Sequence, residues 1–303
     1  MRRLAKITFE GRKPLDYRVN EAYKSLRTNV QFSGTGVKVI DFTSCTPNEG
    51  KSSVSFNLAV SFAESGKKVI MIDADMRKSV LAGRYKVGGV EAGLAHYLSG
   101  QMTLDEVLMK TDIEGMDIIF SGPFVPNPAE LLESDNFHNL VEYCREHYDY
   151  VLIDSPAGIG TGFELATCAA DKVVVVTTPQ VSSVHDADCV LRILRRRKDL
   201  SLFLLINSFR KQMAKDGNML RVEDICELLR TDLLGVVLED DSIVVSQNHG
   251  ESILGHRSCS EACYRNICRR IMGEDVPVPD YLHEKRSFWK LSFKKMPETA
   301  GKH

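Results

Sequence analysis

A Gly-Lys-Ser triplet in the first fifth of the chain combines three residue types that together bind phosphate and a metal ion. Gly50 leaves room for backbone N–H groups to close around an anion, and the Lys51 ammonium can reach the oxygens of a phosphate chain. The Ser52 hydroxyl is a ligand for Mg²⁺. An apolar run at 37–42 precedes the loop and an amphipathic run at 54–64 follows it, which predicts a strand, a phosphate loop and a helix.

The loop in front of this triplet supplies the remaining contacts that the motif predicts. It fits the pattern G-x-x-x-x-G-K-S/T with one departure, because Cys45 stands where glycine or alanine is usual. Cysteine is small, so this departure is compatible with the loop. We therefore expect the chain to bind ATP together with Mg²⁺. The nucleotide-binding residues expected from the loop are Thr46, Pro47, Asn48, Glu49, Gly50, Lys51, Ser52 and Ser53.

Carboxylates follow two other apolar runs of the sequence. The run at 69–72 leads into Asp73 and Asp75, and the run at 150–153 leads into Asp154. In a doubly wound sheet the carboxyl ends of neighbouring strands meet at one edge, beside the loop that follows the first strand. An acid after a strand can also cap the next helix. Finding both sets of acids behind a Gly-Lys-Ser loop favours a metal site.

The acids receive distinct roles in the expected chemistry. Ser52 binds Mg²⁺ directly, Asp154 holds a water of the metal shell, and Asp73 completes the metal set. Asp73 and Asp75 activate the acceptor, which is water or a hydroxyl group. Phosphoryl transfer mainly needs positioning and charge neutralisation, which the metal ion, the loop amides and the loop lysine provide. The expected catalytic residues are Lys51, Asp73, Asp75 and Asp154.

The surrounding sequence alternates apolar, β-branched runs with helical patterns. Near-continuous Val, Ile and Leu runs are typical of strands that helices cover on both faces. The alternation predicts an α/β fold with a doubly wound, mostly parallel sheet of about seven or more strands. Strands are predicted at 37–42, 68–72, 116–120, 150–153, 172–177, 202–206 and 233–237. Helices are predicted at 54–64, 135–147, 183–197 and 222–230.

Three parts are expected along the chain. Residues 35–275 form one P-loop domain, preceded by an N-terminal segment at 1–34 and followed by a tail at 276–303. Within the tail, residues 285–296 place aromatic side chains beside basic ones, a pattern that suits a helix lying on anionic lipid. A solvated, disordered terminus is the alternative, since a segment of about 12 residues is marginal as a free helix.

Bulk composition argues against several classes of protein. The 303 residues carry a net charge of −2, whereas general nucleic-acid binding needs a strongly basic face. The basic cluster at 192–198 lies at the end of a predicted helix, where cations interact favourably with the negative end of the helix dipole. This position favours a structural role over a nucleic-acid-binding patch. No export signal or run of about 18 apolar residues is found. We expect a cytoplasmic protein, peripheral on the inner face of the membrane where the tail binds.

One histidine and three cysteines near the C-terminal end raise the alternative of a zinc site. The cysteines fall within a stretch at 258–272 whose pattern predicts one helix, and the histidine comes just before it. Structural zinc sites usually take their ligands from two elements at tighter spacing. The sequence therefore favours thiols on one helix over a zinc centre. The residues concerned are His256, Cys259, Cys263 and Cys268.

The order of the motifs resembles that of the deviant-Walker P-loop ATPase superfamily, and the two halves of the chain resemble different branches of it. Residues 18–150 are similar to the bacterial tyrosine autokinases of capsule and exopolysaccharide synthesis. The similarity rests on the phosphate loop at 43–53, on Ile-Asp-Ala-Asp-Met-Arg at 72–77, and on Ser-Gly-Pro-Phe-Val-Pro-Asn-Pro-Ala-Glu-Leu-Leu at 121–132. It implies that Arg77 contributes to the nucleotide site.

The resemblance to the autokinases also concerns an N-terminal oligomerisation motif and the C-terminal tyrosines. Glu21, Lys24 and Arg27 match the E-x-x-R-x-x-R oligomerisation helix of the autokinases, with lysine replacing the first arginine. The resemblance implies self-association and a membrane-bound activator protein. Autokinases end in a cluster of tyrosines that accept phosphate from a neighbouring subunit. Here Tyr264 and Tyr281 are the candidate acceptors, and Tyr281 is preferred because it follows the predicted domain.

Residues 154–272 resemble instead the septum-site-determining ATPases of the MinD type. The matching segments include Asp-Ser-Pro-Ala-Gly-Ile at 154–159 and Val-Ser-Gln-Asn-His-Gly-Glu at 245–251. The resemblance implies that Asn207 reads adenine, and that an ATP-bound dimer docks a C-terminal helix on a membrane. MinD-type loops carry a signature lysine that reaches the partner's nucleotide, and Thr46 occupies that position here.

Two active functions are compatible with this sequence. The phosphate-handling motifs favour an ATP-dependent protein-tyrosine autokinase, in which Asp73 takes the proton of the incoming tyrosine. The alternative is a MinD-type ATPase that acts as a nucleotide-gated, membrane-associating switch positioning cell division. An ATP-binding scaffold with neither cycle intact is a third interpretation.

Overall fold

The computed structural model of the chain describes residues 38–279 apart from Gly89 and Asp199. These residues include most of the stretch predicted as the P-loop domain. The predictions that fall outside them concern Glu21, Lys24, Arg27, Tyr281 and the tail at 285–296.

The described strands form one eight-stranded sheet in the order β3-β4-β2-β5-β1-β6-β7-β8. The β3–β4 pair is antiparallel, and the other neighbouring pairs are parallel. The predicted mostly parallel α/β sheet is thus confirmed. The strands are β1 (Val39–Thr43), β2 (Val69–Asp73), β3 (Met109–Lys110), β4 (Met116–Ile119), β5 (Tyr150–Asp154), β6 (Lys172–Thr177), β7 (Ser201–Phe209) and β8 (Asp232–Leu238).

Helices connect these strands, and the longest ones cover the sheet. The long helices are α1 (Lys51–Glu64), α6 (Asp135–His147), α8 (Val181–Leu194) and α12 (Cys259–Ile271). The shorter helices are α2 (Leu81–Arg84), α3 (Leu94–Leu98), α4 (Leu104–Val107), α5 (Pro128–Leu132), α7 (Thr161–Cys168), α9 (Lys211–Lys215), α10 (Val222–Leu229) and α11 (Asp241–His249). None of the helices in the described residues is long and apolar enough to cross a bilayer.

The core explains why the apolar runs become strands. In β6, Val173 and Val175 face one side of the sheet and Val174 and Val176 the other, and all four are 0% exposed. Burying each such side chain stabilises the fold by about 1.5–3 kcal/mol relative to leaving it in water. A strand with no polar face must be covered on both sides, which requires helices above and below the sheet.

The strand order places β1 at the centre of the sheet, between β5 and β6. Strands that precede β6 in the sequence lie on one side of β1, and those from β6 onward lie on the other. Ligands bind α/β sheets at the carboxyl edge where the strand order reverses in this way. The loop between β1 and α1 leaves the sheet at this point.

The observed helix ends differ from the predicted ones by up to three residues. Helix α1 begins at Lys51 and not at residue 54, and α8 spans Val181–Leu194 and not 183–197. Beyond the end of α8, Arg195 and Arg197 reach carbonyl groups of neighbouring helices. Arg195 donates to the Leu229 carbonyl oxygen at the end of α10, and Arg197 donates to that of Thr167 in α7 at 3.1 Å. The two arginines therefore connect the end of α8 to α10 and α7, a structural role for these residues of the basic cluster.

The candidate zinc residues lie at or near helix α12, which packs on β8 and on α1. Cys263 and Cys268 are buried in that packing, and burial raises the pKa of the Cys268 thiol to about 11. Among the described residues, no three or more His, Cys, Asp or Glu side chains are grouped so that they could hold a metal ion. The thiols of Cys263 and Cys268 thus serve as small core side chains, whereas Cys259 at the start of α12 is exposed.

Candidate functional site

The phosphate loop closes on itself through Gly50, which stands immediately before α1 with φ +87°. This left-handed conformation favours glycine. A Cβ atom on Gly50 would also lie 2.1 Å from Nδ2 of Asn207, at the carboxyl end of β7. That Nδ2 donates a hydrogen bond of 2.8 Å to the carbonyl oxygen of Glu49. The glycine is therefore required both for the turn and for its close approach to β7.

Glu49 supports the loop from below. One of its carboxylate oxygens accepts a hydrogen bond from the Thr46 backbone N–H at 3.0 Å, and the other accepts one from the Thr177 hydroxyl at 3.4 Å. Glu49 is only 4% exposed, and burial raises its pKa above the usual range of a carboxyl group. The side chain of Glu49 thus stabilises the shape of the loop. Any contact that residue 49 makes with a nucleotide is therefore expected from its backbone.

The predicted carboxylates meet beside the loop. Asp73 and Asp154 are paired in register at the ends of the adjacent strands β2 and β5. The Lys51 Nζ lies 2.5 Å from Oδ1 of Asp154 and 4.0 Å from Oδ2 of Asp75. Lys51 is 5% exposed and Asp154 is 1% exposed. A buried lysine and three carboxylates therefore share one small volume.

Burial shifts the protonation of these groups. Although burial acts to lower it, the carboxylates of Asp154, Asp75 and Asp73 raise the pKa of Lys51, so the lysine stays charged. Burial, assisted by the negative charge of Asp154, raises the pKa of Asp73 to about 7. The Ser79 hydroxyl donates to Asp73 at 2.6 Å. A carboxyl group that titrates near neutral pH can accept a proton during a reaction.

A cleft of about 550 Å³ opens above the loop. Of the predicted site residues, Pro47, Asn48, Gly50, Lys51, Ser52, Ser53, Asp75, Arg77 and Asn207 line it. Thr46, Glu49, Asp73 and Asp154 do not line it. The last two reach the site through neighbours, because Asp154 pairs with Lys51 and Asp73 accepts the Asp75 backbone N–H at 3.2 Å.

The structure adds residues that motif analysis did not select. Arg84 and Gln247 line the same cleft and both donate to the Ser53 hydroxyl, at 2.5 and 3.1 Å. Asp41 is a 0% exposed carboxyl group in the middle of β1, 3.4 Å from the Ser155 hydroxyl. Of these three residues, only Asp41 stands out in the sequence, because it is an acidic residue within an apolar run.

Comparison with known proteins agrees with this geometry. The family described as AAA domain matches residues 37–202. The septum site-determining protein MinD of Bacillus subtilis is 33% identical over 248 residues, which cover 80% of this chain and 91% of the relative. The tyrosine-protein kinase CpsD of Streptococcus pneumoniae is 36% identical over 201 residues, which cover 66% of this chain and 88% of the relative.

A solved structure gives the same result for the fold. The MinC:MinD cell division protein complex of Aquifex aeolicus contains a chain that superposes with a TM-score of 0.73 at 30% identity, covering 81% of this chain and 100% of that one. The chain belongs to the deviant-Walker P-loop ATPases. The resemblance to both the MinD-type and the autokinase branch is confirmed by these relatives.

In this ATPase, the residues present fit a magnesium nucleotide. Oδ2 of Asp154 is buried and has no hydrogen-bond partner among the described residues, so one carboxylate oxygen is available to a metal-bound water. The neighbouring Ser52 hydroxyl lines the cleft. The glycine turn at Gly50 exposes backbone N–H groups at the start of α1, where the helix dipole favours an anion. Bound Mg²⁺ would neutralise phosphate charge between these residues.

The ATPase holds one candidate phosphate acceptor inside its core. Tyr264 is 1% exposed on α12, and burial raises the pKa of its hydroxyl far above the usual range of a tyrosine. Tyr264 is also among the residues that line the cleft. A side chain in this position cannot be offered to another subunit unless α12 unfolds. The burial of Tyr264 therefore argues against it as an acceptor and leaves Tyr281.

Proposed function

We propose that this chain binds Mg-ATP in the cleft and acts as a nucleotide-gated switch of the MinD type. The proposal is supported by the β1–α1 junction, where Lys51 pairs with Asp154 next to the Gly50 turn. The MinD relative is matched over 80% of this chain and the CpsD relative over 66%, which favours the switch over the autokinase and reverses the order that the motifs alone favoured.

In the proposed reaction, separate residues would bind the phosphates, the metal ion and the adenine base. Lys51 would exchange its pairing with Asp154 for the β- and γ-phosphate oxygens, since phosphate offers it a stronger negative charge. Ser52 would bind the metal, and Asp154 and Asp73 would orient its waters. Asp73 would take the proton of the attacking water, since it is a carboxylate at the end of β2 beside Asp154 and the phosphate loop. Asn207 would contact the adenine base from the end of β7.

Self-association and membrane binding complete the proposed cycle. A MinD relative has been solved as a MinC:MinD complex, so a protein partner is a natural extension of the proposal. The tail at 285–296 would bind anionic lipid through its aromatic and basic side chains. Thr46 stands at the position of the MinD signature lysine, so no lysine from this position would reach a partner's nucleotide. Hydrolysis in the dimer would therefore be slow.

The autokinase is the second candidate, and a specific observation favours it. The CpsD relative is matched over 88% of its length at 36% identity. In the autokinase, Asp73 would take the proton of a tyrosine hydroxyl instead of a water proton. Tyr281 would be the acceptor, delivered to the cleft of a neighbouring subunit, and a membrane-bound activator would promote the encounter.

One experiment separates the two candidates. Purified protein is incubated with Mg-ATP, and its intact mass, oligomeric state and sedimentation with anionic or neutral vesicles are measured. The switch predicts unmodified protein that dimerises and sediments with anionic vesicles in ATP but not in ADP. The kinase predicts an added phosphate that disappears in Tyr281→Phe and Lys51→Met but persists in Tyr143→Phe, a change at a surface tyrosine that is 40% exposed. A protein that shows neither response overturns both candidates.

A further inference from the structure

Arg84 is a cation in the cleft that lacks a carboxylate partner. Arg84 is half-buried, and the one side-chain hydrogen bond that it makes within the described residues runs from Nη1 to the Ser53 hydroxyl at 2.5 Å. No carboxylate of the described residues lies within ion-pair distance of it, whereas Lys51 in the same cleft has two. A guanidinium carries five N–H donors and a permanent charge. The guanidinium of Arg84 is partly shielded from water and contacts a neutral hydroxyl. It therefore lacks the anion that a guanidinium group normally binds.

The position of Arg84 is fixed by its neighbours. Leu81, one turn earlier in α2, is 1% exposed, and the ring of Tyr85 stacks on Phe56 of α1 with centroids 3.7 Å apart. These contacts anchor the end of α2 against the phosphate-loop helix. Gln247 of α11 donates to the same Ser53 hydroxyl at 3.1 Å. The guanidinium is therefore held at one place and not free to sweep the surface.

That place is the first turn of α1. Ser53 is the third residue of this helix, which starts at Lys51. The free N–H groups and the positive dipole end of a helix attract phosphate at its first turn. A phosphate bound there would come within reach of a guanidinium that already touches Ser53. The predicted Mg²⁺ ligand Ser52 is the preceding residue, on the same turn.

We propose that Arg84 is a phosphate-binding residue of this cleft, held by its hydrogen bond to Ser53 and pairing with an oxygen of the phosphate chain of a bound nucleoside diphosphate or triphosphate. The inference rests on the proposed binding of nucleotide. It adds a cation from α2 that the Gly-Lys-Ser motif does not contain. Since the contact is to phosphate and not to the base or the metal, it should act on ADP and ATP alike and should not require Mg²⁺.

Substitutions can separate the charge of Arg84 from its structural hydrogen bond. Arg84→Gln retains an N–H donor for Ser53 but removes the charge, and Arg84→Lys retains the charge. Lys86→Gln is the matched control, because it removes a positive charge two residues away from an exposed side chain that does not line this cleft. Binding of ADP, ATP and adenosine to each protein is measured by calorimetry, with and without Mg²⁺.

The expected result is a loss of about tenfold or more in ADP and ATP affinity for Arg84→Gln, with adenosine binding unchanged. Arg84→Lys should recover part of the loss, and Lys86→Gln should bind as the wild type does. Equal ADP affinity in Arg84→Gln and wild type would overturn the inference, as would an equal loss for adenosine, which would indicate a structural role. Wild-type protein that binds no nucleotide would overturn the proposed function itself.

A second measurement uses only the wild-type protein and so does not depend on the folding of a variant. Phenylglyoxal modifies accessible arginine side chains, and mass spectrometry of peptides locates the modified positions. ADP should slow modification of Arg84, whereas adenosine should not. Identical modification rates at Arg84 with and without ADP would overturn the inference.

Discussion

The ammonium nitrogen of Lys51 lies 2.5 Å from Oδ1 of Asp154, across the gap between the phosphate loop and the end of β5. The pair is buried, so each charge depends on the other for compensation. The same two side chains are the ones that nucleotide and metal would recruit. Under the proposed function, nucleotide binding would replace this ion pair, and the exchange would link phosphate binding to the orientation of Asp154.

Replacing Asp154 by asparagine should separate nucleotide binding from its dependence on Mg²⁺. Asp154→Asn keeps the shape of the side chain but releases Lys51 from its ion pair, so binding of ATP without Mg²⁺ should be as tight as in wild type or tighter. The strengthening of binding by Mg²⁺ should disappear, because the carboxylate that orients its water is lost. Calorimetric titrations with and without Mg²⁺ measure both effects. A Mg²⁺ response equal to that of wild type would show that Asp154 does not serve the metal.

A methyl group on Gly50 should abolish nucleotide binding. The Cβ of Gly50→Ala would lie 2.1 Å from Asn207 Nδ2, so the loop or the end of β7 must move. Gly66→Ala is the matched control, because Gly66 has a similar φ of +80° but nothing within 4 Å of the added Cβ. Both changes should lower the free energy of unfolding by about 1–2 kcal/mol for the left-handed conformation. Only Gly50→Ala should weaken ATP binding; a parallel loss in both variants would refute the steric explanation.

Asp41 should make the protein less stable as the pH rises. Burial raises its pKa from 3.8 to about 8, so the folded protein keeps a proton here that the unfolded chain releases near pH 4. The folded state binds more protons between these values, and stability therefore falls with increasing pH, at most by about 1.4 kcal/mol per pH unit. Asp41→Asn cannot ionise and should lose this part of the slope. Urea unfolding at pH 5 and pH 8 tests this prediction. The free energy of unfolding of the variant should rise relative to that of wild type between pH 5 and pH 8. A difference that stays constant would disprove the pKa shift of Asp41.

Gly235 in β8 should tolerate no side chain, because helix α12 lies directly on it. A Cβ there would be 2.4 Å from Cγ1 of Ile267 and 3.1 Å from Nη1 of Arg270. Gly235→Ala should therefore destabilise the fold by about 1–3 kcal/mol through overpacking. Gly83→Ala provides the comparison, since its Cβ meets nothing within 4 Å and alanine favours a helix. Thermal unfolding midpoints measure both; equal midpoints would mean that α12 shifts freely on β8.

Much of this fold could be predicted from the sequence because its strands are continuous apolar runs. The strand predicted at 172–177 and the helix predicted at 135–147 match β6 and α6 residue for residue. Short elements such as β3, with two residues, and α2, with four, escaped prediction because they are too short to show a hydrophobic period. The longer β7 continues past residue 206 through an irregularity in its pairing with β8 that no pattern indicates.

The site residues that could be predicted either adjoin one another in the sequence or follow directly on an apolar run. Gly50, Lys51 and Ser52 adjoin in the sequence, and Asp73 and Asp154 each end an apolar run, so their meeting follows from a parallel sheet. Arg84 and Gln247 reach Ser53 from elements 31 and 194 residues away in the sequence, and only the packing of α2 and α11 brings them together. The burial of Tyr264 likewise depends on how α12 packs on α1, which its sequence does not reveal.

We propose that the loop between β1 and α1 binds a magnesium nucleotide through Lys51. Isothermal titration of Mg-ATP into the wild-type protein and into Lys51→Met tests this binding, with circular dichroism to establish that the variant is folded. We predict saturable heat with one site per chain for wild type, accompanied by a higher unfolding temperature, and neither effect for the variant. The absence of heat and of thermal stabilisation in wild type, or equal binding by Lys51→Met, would contradict the account.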